Sequence, residues 1–240
     1  MSARIEALDP ALVLGAYSVG VFPMADHRDA DSVYWVEPRR RAILPLDGFH
    51  LSRSLRKTIA ADRFRVTADT AFAETIRLCA ESVDGRPETW INHSIEQVFL
   101  RFRGMGLAHS VECWLDDRLV GGLYGLALGR AFFGESMVSR VPDASKVAIA
   151  WLVARLRAGG FTLLDCQFMT PHLASLGAIE VDRARYMALL ADALSDSPSA
   201  AAGSSSARAA DFRALDGTAR LTVSGPVAGK DVVQLLTHTS

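Results

Sequence analysis

Two apolar runs are each broken by a single carboxylate: Phe132-Phe133-Gly134-Glu135-Ser136-Met137 and Leu163-Leu164-Asp165-Cys166-Gln167-Phe168. Read as strands, their period of two places Phe133, Glu135 and Met137 on one face, and Leu163, Asp165 and Gln167 on one face. A carboxylate inside a core strand is costly unless it is paired or used in chemistry. Acids that merely accept backbone N–H bonds are the plainer alternative.

The pattern around these runs predicts an α+β fold. A helix signal runs from Pro10 to Val19 and ends at Gly20, because Pro23 turns the following residues away from helical geometry. From residue 64 the alternation is mixed. Strand Phe64–Thr67 precedes a helix capped by Asp69 or Thr70, with Phe72, Ile76 and Cys79 on one stripe. A second helix starts near Ser94, which forms a capping box with Gln97, and stops at Gly104. Strands at His109–Leu115, Leu119–Leu126 and Arg130–Met137, joined by short polar turns, read as an antiparallel meander. A helix from Asp143 to Arg157, a strand from Phe161 to Phe168 and a helix capped by Asp182 complete one domain over residues 39–195, after a small N-terminal domain at 1–38. Residues 196–220 read as a flexible Ser/Ala-rich linker. The tail at 221–240, with Val232, Val233, Leu235 and Leu236, reads as a short docking helix.

The 26 basic and 27 acidic residues nearly cancel, which excludes a uniformly basic nucleic-acid coat and leaves room only for a local patch. Arg39, Arg40 and Arg41, followed by Arg53, Arg56 and Lys57, form such a concentration, with an ordinary solvated face as the plainer alternative. Cys79, Cys113 and Cys166 stand in apolar segments without metal-ligand spacing and read as reduced core residues. No His or Cys spacing suits a metal. No apolar stretch reaches the ~18 residues of a membrane span, so a cytoplasmic location without membrane contact is expected.

Several motifs fail on context. Arg101-Phe102-Arg103-Gly104-Met105-Gly106 has the spacing of a pyrophosphate loop, yet its glycines close a helix instead of opening one. Gly225 to Asp231 is one residue short of a phosphate loop and reads as a turn. No serine lies in a nucleophile elbow. Ile149, Leu152 and Leu156 form one helical stripe that can face Leu123, Met137 and Leu164. Such a wall is either ordinary core or the lining of a pocket for an aliphatic or aromatic side chain.

Longer motifs carry a resemblance. Tyr17 with Gly20-Val21-Phe22-Pro23-Met24, Thr89-Trp90-Ile91, Ala108-His109-Ser110-Val111-Glu112, Leu119 to Gly125, Phe133 to Met137, Asp143-Ala144-Ser145-Lys146, and Asp165-Cys166-Gln167 with His172 and Ser175-Leu176-Gly177-Ala178 occur in one order between residues 11 and 195. Together they resemble the leucyl/phenylalanyl-tRNA-protein transferases. The resemblance implies a GNAT-like acyltransferase domain behind a small N-terminal domain. It also implies transfer of leucine or phenylalanine, with methionine as a further candidate, from Leu-tRNA or Phe-tRNA to proteins with N-terminal Arg or Lys, creating an N-degron for proteolysis. The aminoacyl ester is already activated, so no cofactor, metal or ATP is expected. Asp165 and Gln167 become the catalytic pair, with Glu135 facing the cationic N-terminal residue. Leu123, Met137, Ile149, Leu152, Leu156 and Leu164 become the aminoacyl pocket. Met24, which stands where many members carry Trp, and Trp90 are expected at the terminal adenosine, with Arg39 and Arg40 at tRNA phosphates. An acetyl-CoA-dependent acyltransferase of the same fold and a non-catalytic adaptor for basic N-termini are the alternatives.

Overall fold

The computed structural model describes residues 7–81, 89–195, 210–218 and 227–237. The described chain opens with α1 (Pro10–Ser18), capped by the Asp9 carboxylate, which accepts the Ala11 N–H, followed by the hairpin β1 (Phe22–Met24) and β2 (Tyr34–Val36). Next come β3 (Arg40–Ile43), α2 (Arg53–Ala60), β4 (Arg65–Ala68), α3 (Phe72–Ala80) and α4 (His93–Gly104). The meander is β5 (Ala108–Leu115), β6 (Arg118–Leu128) and β7 (Ala131–Ser139), and α5 (Ala144–Ala158) leads from it to β8 (Leu163–Gln167). The chain continues through α6 (Pro171–Ser175), β9 (Ile179–Asp182), α7 (Arg183–Ser195), α8 (Ala214–Thr218) and α9 (Gly229–Thr237).

Among the described residues, a seven-stranded mixed sheet runs β4-β5-β6-β7-β8-β3-β9. Its pairings are antiparallel except β7 with β8. That one parallel junction follows from α5, which carries the chain back to the start of the sheet before β8 begins. One core lies under α5 and contains Phe132, Leu164 and Trp151; the other contains Tyr17, Phe99, Phe133 and Leu163. Successive residues of β7 and of β8 therefore serve opposite cores, as strand geometry requires.

Neither period survives to the strand end. In β7, Gly125 faces Gly134 while Tyr124 faces Ser136, so Glu135 is the extra residue of a β-bulge. Gly125 permits it: a Cβ there would stand 2.2 Å from the Phe133 carbonyl oxygen. Phe133 accordingly packs edge-on against Tyr17 at 5.0 Å, whereas Met137 joins the α5 side. In β8, Gln167 adopts φ +61°, which turns it off the face of Leu163 and Asp165. The expected single-face alignments of both runs are thus corrected by a bulge and by one left-handed residue.

Helix caps also differ from expectation. Asn92, not Ser94, caps α4 through Ile95 N–H at 3.0 Å, and Ser94 donates to the same amide oxygen. No side chain at Ala71 caps α3; instead Glu112 accepts the Ala71 N–H at 3.3 Å, and Asp69 is committed to Ser110 N–H and His109. Asp182 caps α7 as expected. The Arg101–Gly106 segment closes α4, so its glycines offer no helix N-terminus. Gly229 to Asp231, read as a turn, opens α9, and Gly229 is needed because a Cβ would stand 1.9 Å from Ile59 O of α2. Within the predicted linker, residues 196–209 and 219–220 lie outside the described residues, but Phe212 and Leu215 are buried, and Phe212 stacks on His109 and Phe132. The docked C-terminal segment therefore begins earlier than composition indicates, and Val232, Val233 and Leu236 of α9 bury with it.

Candidate active site

The β7–β8 ladder ends at Phe133 opposite Asp165, although β7 continues to Ser139. A cavity of about 500 Å³ opens where the two strands part. Leu123, Met137, Ile149, Leu152 and Leu164 line it, together with Leu44 and Leu173, so five of the six predicted pocket residues form one apolar wall. Leu156 does not: it lies one turn further along α5 and is fully buried in the core.

Glu135 and Gln167 meet at the fork. Gln167 Nε2 donates to Glu135 Oε1 at 3.1 Å, both residues line the cavity, and Glu135 is 6% exposed. Burial pushes the Glu135 carboxyl up to about 8, although the Tyr17 hydroxyl and the Gln167 amide pull the other way. Glu135 Oε2 is buried without a hydrogen-bond partner, as are the hydroxyls of Tyr17 and Tyr124. Burial raises both phenols well above the ordinary tyrosine value, with Glu135 adding to the shift. Tyr17 is close enough to Glu135 to shift its titration, yet its oxygen completes no hydrogen bond of good geometry.

Asp165 stands behind this fork and does not line the cavity. Arg41 grips it with Nε at 2.9 Å from Oδ1 and Nη2 at 2.7 Å from Oδ2. Tyr186 donates its hydroxyl to Oδ2 at 2.8 Å, and the Gln167 backbone N–H donates to Oδ1 at 2.8 Å. That last bond, two residues along the chain, closes a turn on Asp165 and offsets the strain of the left-handed Gln167. Asp165 is 0% and Arg41 1% exposed, and the guanidinium also lies over the Phe22 and Tyr186 rings at 4.6 and 4.7 Å. Burial disfavours the Arg41 charge, but Asp165 outweighs it and raises the guanidinium further. Both oxygens of Asp165, the residue expected to polarise or accept a proton through Gln167, are engaged by Arg41, Tyr186 and the Gln167 backbone, and that backbone bond is its link to the cavity wall.

The basic run divides in the same way. Arg39 and Arg40 are exposed, and Arg40 pairs with Glu180 at 2.9 Å on the neighbouring edge strand, whereas Arg41 leaves the surface altogether. Met24 and Trp90 are half-buried and linked through Ala25 N–H to Trp90 O at 3.1 Å, outside the cavity wall. Phe22 of the same hairpin meets Phe168 on the cavity wall at 5.8 Å.

The sequence carries a family's pattern from the first helix to α7. Residues 43–191 match the family described as leucyl/phenylalanyl-tRNA protein transferase, and residues 6–39 match its N-terminal domain. A leucyl/phenylalanyl-tRNA–protein transferase of Rhizorhabdus wittichii is 60% identical over 98% of this chain and 100% of its own length. The chain belongs to this family. Relatives of the same description from Zymomonas mobilis and Phenylobacterium zucineum are 61% and 51% identical, covering 78% and 99% of this chain and 70% and 100% of their own. Among solved structures, that of L-PGS from Bacillus licheniformis is similar at a TM-score of 0.39 and 13% identity, covering 65% of this chain and 51% of that one.

Among the described residues, no group of three or more His, Cys, Asp or Glu side chains is arranged to hold a metal ion, and no helix is long and apolar enough to cross a membrane. Among the placements not foreseen from the sequence are Leu44 and Leu173 on the cavity wall, and Arg41 and Tyr186 against Asp165. The signal for Arg41 was present: a buried carboxylate needs a buried cation, and this arginine opens the apolar segment Ala42-Ile43-Leu44. Tyr186 has no comparable signal, because nothing in its own segment relates it to β8.

Proposed function

We propose that this chain transfers leucine or phenylalanine from aminoacyl-tRNA to the N-terminal arginine or lysine of acceptor proteins, and that the product is an N-degron. The observation that carries this is the joining, in one cavity, of an apolar wall sized for such a side chain with a buried carboxyl that lacks a partner for one oxygen. Family membership supports the aminoacyl-tRNA and protein substrates. The parallel β7–β8 pair, opening inside an otherwise antiparallel sheet, supports a GNAT-like transferase domain over residues 39–195. The two family matches, which adjoin between residues 39 and 43, support a small N-terminal domain at 1–38. A cytoplasmic location, where charged tRNA is found, belongs to the same proposal.

In the reaction the acceptor α-amine forms a bond to the ester carbonyl carbon, the carbon–oxygen bond to the tRNA ribose breaks, and the amine proton passes to the released ribose oxygen. Gln167 gives its N–H to Glu135, leaving its amide oxygen to accept from and orient the attacking amine. Glu135, protonated in the empty cavity at neutral pH, ionises beside the arriving cation and holds it. Asp165 and Arg41 lock the left-handed turn that aims Gln167. Met24 and Trp90 flank the terminal adenosine, and Arg39 and Arg40 meet phosphates. The apolar wall selects by size, so discrimination between Leu and Phe is modest while charged side chains are rejected strongly.

Labelled Leu-tRNA, incubated with peptides that differ only in starting with Arg, Lys or Asp, tests the proposal. Transfer to the first two and not the third is expected. Transfer to none, or equal transfer to all, would overturn it.

A further inference from the structure

His172, in the first turn of α6, lines the cavity, and its Nε2 is buried without a hydrogen-bond partner. Two other such atoms belong to cavity residues, Glu135 Oε2 and the Tyr124 hydroxyl, and these influence one another at the fork. His172 stands apart from them on a different element. Two hydroxyls on the wall are already committed. Ser139 donates its hydroxyl to Val141 O at 2.9 Å and accepts Ser145 N–H at 3.3 Å, while Thr170 accepts Leu173 N–H at 3.2 Å as the cap of α6. An imidazole nitrogen left open at a cavity wall loses its bonds to water and gains none, which a native structure tolerates chiefly where a ligand completes the bond. Burial first, and the nearby Lys146 second, lower the His172 pKa and favour the neutral ring, in which one nitrogen donates and the other accepts.

The substrate of the proposed reaction offers few groups to meet it. The aminoacyl side chain belongs against the Leu and Ile wall, and the attacking amine belongs at Glu135 and Gln167. What remains is the ribose of the tRNA terminus, whose second hydroxyl lies beside the ester. Lys146, on the first turn of α5 and close enough to lower the His172 pKa, suits the adjoining phosphate. We infer that His172 Nε2 hydrogen-bonds the ribose hydroxyl adjacent to the ester and so positions the leaving oxygen, making it a specificity residue for a ribonucleotide terminus.

The inference rests on the proposed aminoacyl-tRNA chemistry, and the test separates the two. Single-turnover transfer to an Arg-started peptide is measured with Leu-tRNA ending in adenosine or in 2′-deoxyadenosine, for wild type, His172→Ala and His172→Gln. Loss of the hydroxyl should slow wild type by about tenfold, the value of one well-made hydrogen bond. His172→Ala should be slowed by about tenfold on the ribose substrate and by less than about twofold more on the deoxyribose one. His172→Gln, which returns a polar atom near the Nε2 position, should recover part of the rate and part of the discrimination. Penalties that multiply in His172→Ala, or a wild type indifferent to the hydroxyl, would overturn the assignment while leaving the transferase function standing. Wild type inactive on both substrates would overturn the function as well.

Discussion

Asp165 tolerates burial because Arg41 is buried against it. Removing one partner of such a pair leaves an uncompensated group in the core and typically costs about 3–5 kcal/mol, so substitutions at Asp165 mix stability with activity. Gln167 and Glu135 are the cleaner probes. Glu135 has the opposite environment, since burial outweighs the groups that draw its pKa down. Its folded pKa of about 8 lies above the ordinary 4.5, so between these values the folded chain holds a proton that the unfolded chain has released. Stability from the neutral carboxyl is fully present below 4.5 and is lost as pH rises through 8. Glu135→Gln mimics the neutral form. In urea denaturation the wild type should weaken relative to this variant by about 1.4 kcal/mol per pH unit across that window. A pH-independent difference would show that the carboxyl is ionised in the empty site.

At the scale of elements, β7, β8 and α5 build the site by departing from regularity. The meander, the helix stripe and the strand around Asp165 were legible in the sequence because apolar period and turn chemistry determine them locally. Two pocket residues, Ile149 and Leu152, followed from that stripe, and Leu123, Met137 and Leu164 from the strands it faces. Leu156 did not, because where a cavity ends depends on where two strands stop pairing, which periodicity does not encode. The bulge at Glu135 and the left-handed Gln167 were equally hidden: both depend on neighbours distant in sequence, Gly125 in one case and Arg41 with Tyr186 in the other. β3 was not legible because it opens on Arg40-Arg41, which reads as part of a basic patch, and β9 because it runs directly into the Asp182 cap of the next helix. Ile149 faces the cavity from α5, and Ile149→Trp should fill it and depress transfer of Phe more than Leu, since an overfilled pocket penalises the larger side chain first. Competition between Phe-tRNA and Leu-tRNA in a folded variant measures this, and an unchanged ratio would return the stripe to ordinary core.

The whole molecule has a net charge of -1, so any hold on tRNA must be local. Arg39 and Arg40 are the exposed part of the run whose third member became structural. Pairing with phosphates releases counterions without reading bases, so Arg39→Ala with Arg40→Ala should weaken tRNA binding and reduce the salt slope by about 0.7 to 0.9 for each phosphate no longer neutralised. Identical slopes would move the tRNA-binding surface elsewhere. The proposed function places catalysis at the fork of β7 and β8, and Gln167 is the most direct probe of that proposal because it touches the cavity and carries no buried charge. In single-turnover transfer from Leu-tRNA to an Arg-started peptide, Gln167→Ala should be slower by roughly 10² to 10⁴-fold while aminoacyl-tRNA binding is retained. A folded Gln167→Ala protein that transfers at nearly the wild-type rate would contradict that placement.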